Sequence, residues 1–394
     1  MKRLTLLLLG LALGVTATAR AQGLTMQMSN GWSFSFAGNV NVFWVFSADS
    51  TKAGKTSNVR TGLLPAFATF DAKGKESGMN LGVHFGFAPQ IQNGGNNHDA
   101  QGAQIDMRQV YLTIGGTWGT ILAGRELGLF DRQNILNDQT LFGVGAVGAA
   151  QGGGTTLGRI GYGYIYPDFN AQVTFTSPAK NPVQLSIGLF QPGVVGATYS
   201  VTKIPRLEAE ATWHRTQGKN KYMVWLGGEW QTVSSAADTS KSVVGGTAGV
   251  KLDIEDLTLV VSGYVGKGIG AAFGFTSFDP SLDDQVSGTA LRKEDGGYAQ
   301  IGYTFNKKTT VAGSWGTSRL KGAGPTTPDG TDGPLGVLSM YTVGVYHQWT
   351  KSLKLVFEGS REVNAHRGPN ALLTFIDVPT LNRTVVSGGF MLFY

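Results

Sequence analysis

The chain has 394 residues, a formal charge of +6 at pH 7 and no cysteine, which excludes disulfide frameworks, thiolate zinc sites and thiol catalysis. It contains 58 glycines against 13 prolines, about twice the usual ~7% glycine, without the triplet period of collagen or a disordered composition. Hydrophobic residues make up an ordinary 41%.

In chain order, Lys2 and Arg3 precede an apolar run at residues 4–15, and Ala19-Arg20-Ala21 stands before Gln22. This is the three-part pattern of a cleaved export signal. The run is too short for the roughly 20 residues of a membrane-spanning helix. Residues 1–21 are expected to be removed, leaving 22–394 as one domain. Removal takes Lys2, Arg3 and Arg20 with it and halves the net charge. No clustered basic face remains of the kind nucleic-acid binding requires. Beyond the leader no apolar run reaches 18 residues, which excludes a helical membrane protein but not a barrel, whose strands need only alternate.

The dominant period is two. Phe34, Phe36, Val40, Val42, Trp44 and Phe46 alternate with Ser33, Ser35, Ala37, Asn39 and Asn41. Leu207, Ala209, Ala211 and Trp213 oppose Glu208, Glu210, Thr212 and His214. After the turn Gln217-Gly218-Lys219-Asn220, Tyr222, Val224, Leu226, Gly228 and Trp230 oppose Met223, Trp225, Gly227, Glu229 and Gln231. Two alternating runs with a tight polar connection predict a β-hairpin. Leu353, Leu355, Phe357 and Gly359 repeat the pattern. Short turns at 71–77, 306–308 and 350–352 alternate with long polar loops at 266–296, 321–336 and 364–380, the asymmetry of an outer-membrane barrel. Trp44, Phe46, Trp213, Trp230 and Trp349 fall near strand ends on the apolar face, as an interfacial girdle requires. A soluble β-sandwich also alternates, but a chain of this length would divide into two or three such domains, and no linker divides it.

Seventeen segments qualify as strands, whereas a closed antiparallel barrel with both ends on one side needs an even number. Pro167, Pro178, Pro182, Pro192 and Pro205 interrupt the pattern between residues 158 and 207. The expected fold is all-β, a closed antiparallel transmembrane β-barrel of 16 strands, with 18 as the alternative.

At the end of the chain Val386, Gly388, Phe390, Leu392 and Tyr394 share one face. This resembles the C-terminal signal of outer-membrane proteins that the barrel-assembly machinery reads, with Tyr where Phe is usual. Arg108-Gln109-Val110-Tyr111-Leu112, Gly115-Gly116-Thr117-Trp118-Gly119-Thr120 and Gly124-Arg125 resemble the fourth–fifth strand hairpin of trimeric Gram-negative porins. The resemblance implies a homotrimer in the outer membrane, set among lipid and lipopolysaccharide, with a water-filled channel for small hydrophilic solutes and ions. It implies no cofactor. It also implies a long loop after the hairpin, at 126–157, folded into the lumen as a constriction. A 16-strand lumen is too wide to discriminate solutes without one. By the resemblance the loop supplies acids (Glu126, Asp131 and Asp138, with Arg132 among them) and the wall supplies Arg60, Arg108, Arg125 and Arg159. Residues 139–158 carry no charge, and the acidic eyelet motif of enteric porins is absent, which leaves a mild preference for anions.

Gly143-Val144-Gly145-Ala146-Val147-Gly148 matches G-x-G-x-x-G, but a dinucleotide site needs a preceding strand, a following helix and an acid about 20 residues on. More glycine and then Arg159 follow instead. The five histidines (84, 98, 214, 347, 366) form no H-x-x-x-H pair; His214 beside Glu210 is the nearest to a constellation. Asp279, Asp283 and Asp284 could ligate calcium, though a solvated acidic loop accounts for them, and no metal is expected. Three alternatives to a general porin are set against it. A substrate-specific channel for sugars, carboxylates or phosphate would show a ladder of aromatics or arginines. A barrel enzyme would need Ser or Asp within reach of His. A plugged receptor would need a globular domain before the first strand at Ser33.

Overall fold

The computed structural model describes residues 23–50, 54–92, 105–147, 154–196, 198–270, 285–328, 330–367 and 377–394. The export segment and Asp279, Asp283 and Asp284 lie outside them. The strands are β1 (Leu24–Gln27), β2 (Ser33–Asp49), β3 (Lys55–Arg60), β4 (Phe67–Glu76), β5 (Met79–Pro89), β6 (Ile105–Gly116) and β7 (Gly119–Leu127). There follow β8 (Phe169–Thr176), β9 (Val183–Phe190), β10 (Arg206–Gln217), β11 (Asn220–Ser234), β12 (Ser240–Ile254) and β13 (Leu257–Lys267). The last are β14 (Val286–Ser287), β15 (Ala290–Leu291), β16 (Lys293–Phe305), β17 (Thr309–Lys321), β18 (Pro334–Gln348), β19 (Leu353–Arg367) and β20 (Asp377–Phe393).

Sixteen of these, β2, β4–β13 and β16–β20, pair antiparallel in sequence and close into a barrel where β20 returns to β2, with Val42 opposite Phe390. The sixteen-strand expectation is therefore the one the fold adopts. β1 and β3 are supplementary: β1 extends the line of β20 along β2, and β3 extends the line of β4. β14 and β15 form a separate small hairpin. The prolines that obscured the count sit in connections. Pro178 and Pro182 fall between β8 and β9, and Pro192 and Pro205 between β9 and β10.

The alternation is inside out relative to a soluble protein. Ile187, Leu226, Val343 and Phe357 are each more than half exposed, whereas Glu208, Glu210, Thr342, Glu358 and Ser360 are buried within the barrel. Only a wall with lipid outside and a polar interior makes that pattern stable. At the rim of short turns, Trp118 stacks on Phe175 at 6.2 Å and Tyr303 meets Phe305 at 4.8 Å. Trp44 stacks on Phe46 towards the other rim. These are girdle positions.

The turn after β10 is tight as expected, with Gln217 paired to Asn220 and Gly218 at φ +61°, a left-handed conformation that suits glycine. The turn placed at 71–77 shrinks to residues 77–78, because 71–76 continue β4. The long loops are also shorter than the polarity pattern suggested. Strand pairing persists to Arg367 and resumes at Asp377, so polar residues above the apolar belt remain in the ladder.

Candidate pore constriction

Residues 128–168 leave the wall between β7 and β8, and Gly128 N donates to Asp168 O at 2.8 Å across the neck. Among its described residues the segment carries one short helix, α1 (Arg132–Asn137), and a 3-10 turn at Gln139–Phe142. Isolated elements this short are unstable; the barrel interior holds them.

Glutamates of the wall provide the anchors. Glu208 Oε2 accepts from Leu129 N at 2.7 Å and Phe130 N at 2.9 Å. Glu210 pairs with Arg132, both buried, and also accepts from Gln133. Glu358 Oε2 accepts from Val144 N at 2.6 Å and Gly145 N at 3.1 Å, while Tyr346 donates to its other oxygen. Glu362 accepts from Tyr162 OH at 2.8 Å. The glycine-rich stretch that mimics a phosphate cradle thus cradles a carboxylate of its own chain. A Cβ at Gly143 would lie 2.2 Å from the Glu358 carboxyl carbon, so any side chain there would displace the carboxylate from its cradle.

Around α1, Trp225 Nε1 donates to Asn134 Oδ1 and Tyr298 OH to Asn134 O, each at 2.8 Å, and Asn134 donates to Thr247. Asp131 joins the two arms of the loop, accepting from Asn134 at 2.6 Å and from Ile165 N at 2.8 Å. Burial pushes its carboxyl up to about 7. Asp138 accepts from Thr140 N and from Tyr164 OH, and Arg159 stands 3.7 Å away. Fully buried Arg159 donates to Met340 O at 3.1 Å and to Ser314.

The eight charged candidates therefore separate. Asp131, Arg132, Asp138 and Arg159 tie the inserted segment together or to the wall. Arg159 belongs to that segment rather than to the wall, because the segment runs to residue 168 instead of ending at 157. Glu126 belongs to the wall instead, since β7 continues through Leu127; it accepts from Gln109 at 2.8 Å. Arg60, at the end of β3, donates to Gly154 O and Thr155 O. Arg125 pairs with Val110 and Ala171, both exposed on the outer face, so the register sets its backbone position on the side away from the lumen.

Arg108 is the surplus residue of a β-bulge, where Gly86 pairs with Gln109 and Phe87 with Met107. A bulge re-aims a side chain. Here Arg108 reaches Asp106 at 2.9 Å, Tyr166 OH at 3.4 Å and the Phe169 ring. Beside it a polar row crosses four strands: Asp71 to His84 at 3.1 Å, His84 to Gln109 at 3.4 Å, then Glu126. Tyr111 stacks on His84 at 4.7 Å.

The anchors Glu208, Glu210, Glu358, Glu362 and Trp225 were not singled out in the sequence as loop contacts. Period two puts them on the polar face, but which of them meets the loop depends on how a long connection folds back. Among the described residues, no group of three or more His, Cys, Asp or Glu is placed to hold a metal ion.

No curated protein matches the sequence. Among solved structures, the chain superimposes on the outer-membrane channel DcaP of Acinetobacter baumannii with a TM-score of 0.62 at 13% identity, covering 94% of this chain and 99% of that one. It superimposes equally on an anion-selective porin from Comamonas acidovorans, at 14% identity over 92% and 100% of the two chains. The trimer form of OmpT, an outer-membrane protein of Vibrio cholerae, gives 0.55 at 14% identity over 92% and 100%. At these identities the likeness concerns the fold. The sequence itself matches the Gram-negative porin model over residues 6–365. The inside-out barrel and the inserted loop accord with that match: the chain belongs to the Gram-negative porins, outer-membrane channels for passive diffusion of small solutes.

Proposed function

We propose that the protein is a general diffusion porin whose pathway runs between the inserted loop and the β4–β7 wall. The placement of the loop carries this reading. Among the described residues its hydrogen bonds reach β10–β12 and β16–β19, and at one end also Arg60, residues 62–64 and Gln90 and Gln92 beyond β5, whereas from strands β4–β7 themselves the bond is that of Arg108 to Tyr166. The pathway is then lined by Asp71, His84, Gln109, Tyr111, Glu126 and Arg108. Mixed acid, imidazole, amide and guanidinium groups suit small hydrophilic solutes generally, rather than one ligand of fixed charge. Charge in such a confined path governs ion preference. Arg108→Gln should shift the zero-current potential in a salt gradient towards cations, while Arg125→Gln, on the outer register, should leave it unchanged. The reverse result would place the pathway elsewhere.

Catalysis is no part of this reading. Asp71–His84 lacks a hydroxyl nucleophile at hydrogen-bond distance from the imidazole, and Thr309–His347 lacks an orienting acid among the described residues. The neighbour solved as a trimer supports a homotrimer here, which light scattering in detergent would test. The last strand supports recognition by the assembly machinery.

Lipopolysaccharide is the proposed partner on the outer face. Lys267 and Lys293 are directly opposite on neighbouring strands, both exposed, two residues beyond exposed Val265 at the loop end of the belt. Like charges so placed repel, and a lipid phosphate between them would relieve the repulsion. Lys267→Ala with Lys293→Ala should reduce co-purifying bisphosphorylated lipid A severalfold by native mass spectrometry. The same change at Lys307 and Lys308, in the opposite rim's turn, should not; equal retention by both pairs would remove the site.

A further inference from the structure

The second stave of the barrel is interrupted in an unusual way. β2 pairs with β3 up to Phe43–Arg60 and with β4 from Asn39–Phe67. Between these points β2 contributes residues 40–42, but the facing stave contributes residues 61–66, twice as many. The surplus cannot remain in the plane of the wall. Pro65 offers no N–H to the ladder and biases Leu64 away from helix, and the segment turns inward with Leu63 and Leu64 buried.

Within the barrel this segment joins the inserted loop. Leu63 N donates to Gly143 O at 2.9 Å and Leu64 N to Leu141 O at 3.3 Å, while Thr156 N donates to Gly62 O at 3.3 Å. Its attachment to the wall comes from two neighbouring side chains of β2. Asn41, fully buried, accepts from Gly62 N at 2.9 Å and donates to Leu64 O at 2.8 Å. Asn39 donates to Pro65 O at 3.2 Å. A single amide thus satisfies one backbone donor and one backbone acceptor that the broken ladder leaves unpaired, as buried backbone groups require.

We infer that residues 61–66 form a second inward element of the constriction, and that Asn41 is the residue that positions it. The inference rests on the porin reading and deepens it: the narrowest section is set by two segments, residues 61–66 between β3 and β4 and the long loop between β7 and β8, rather than by the long loop alone. Freeing the shorter segment removes the Leu63 and Leu64 backbone bonds from the loop.

Two variants test it. Asn41→Leu keeps the size and removes both hydrogen bonds. Gly62→Val acts from within the segment and leaves Asn41 in place, because a Cβ there would sit 2.3 Å from Gly143 O and 2.8 Å from the Phe43 ring. Heat-modifiable migration on gels confirms barrel closure before recording. Single-channel conductance should rise on the order of twofold, and sized polyethylene glycols excluded by the wild type should enter. Asn41→Asp, which keeps the acceptor for Gly62 N, should fall between. A purely structural asparagine would lower thermal stability without moving the size cut-off. If folded Gly62→Val and Asn41→Asp both keep wild-type conductance and exclusion, residues 61–66 do not contribute to the constriction. A chain lacking the long loop tests the porin reading separately. A rise there with no change in these variants rejects the second element alone, whereas no change in either rejects both.

Discussion

Replacing residues 129–167 with a short glycine–serine turn should leave a closed barrel that conducts several times more current. The neck permits the excision, since Gly128 N and Asp168 O already meet at 2.8 Å and β7 pairs with β8 up to Leu127–Phe169. Shortening a loop is thermodynamically mild, each halving recovering about 0.6 kcal/mol of closure entropy. The anchoring glutamates would lose their partners, but they would face water instead of a buried cavity, so no carboxylate is stranded in a dry interior. The excision also has a signed electrostatic consequence. It removes Asp131 and Asp138 along with Arg132 and Arg159, which balance, and uncovers Glu208, Glu210, Glu358 and Glu362 on the wall. Cation selectivity should therefore increase together with conductance, and salt should screen that increase. A folded variant with unchanged conductance would mean that the loop does not narrow the pathway. Raised conductance with a shift towards anions would contradict the placement of the four glutamates.

How far the sequence foretold this arrangement depends on the range of the interaction concerned. The hairpin from Leu207 to Trp230 was readable because period two and a two-residue turn are local, and the register followed from them. Closure at sixteen was readable from the parity of an antiparallel ring once the prolines were recognised as connection residues. The inserted loop was expected from a resemblance at 126–157, whereas the connection between the strands runs from 128 to 168. Glu126 reads as a loop acid because nothing local distinguishes the last residues of a strand from the first of a loop. Arg159 reads as a wall residue because a loop of this length without regular structure is unusual. The wall glutamates escaped the sequence reading for a related reason. In the lumen a carboxylate can be satisfied by backbone N–H groups as well as by arginine, and Glu358 meets Val144 and Gly145 across more than two hundred residues of sequence. No periodicity encodes that meeting. The break at 61–66 could have been suspected from Gly62 and Pro65 within a strand-like run, but its inward direction depends on Asn39 and Asn41 of a different strand.

Deleting residues 390–394 should abolish the barrel altogether. Phe390, Met391, Leu392 and Phe393 pair with Val42 to Asn39 on one side, and Phe390 to Leu392 pair with Leu355 to Leu353 on the other. Tyr394 completes the seam through reciprocal backbone bonds with Gly38, each of 3.0 Å, and its ring packs 5.1 Å from that of Phe36. Val386, Phe390 and Leu392 are about half exposed on the outer face, where lipid contacts them. Removing the segment leaves two open edges in the hydrocarbon layer, and each unsatisfied backbone group there costs several kcal/mol. The sum exceeds the total stability of an ordinary domain, so no heat-modifiable species should form, in cells or on refolding into detergent. Tyr394→Ala separates seam chemistry from recognition. It keeps the backbone bonds to Gly38 and loses only the aromatic side chain, so refolding of purified chain into detergent should proceed close to wild type. If the terminal aromatic is what the assembly machinery reads, the same variant should accumulate unfolded in the periplasm. Normal outer-membrane levels of Tyr394→Ala would show that the terminal residue serves the seam and not recognition. Normal migration of the truncated chain would overturn the seam itself.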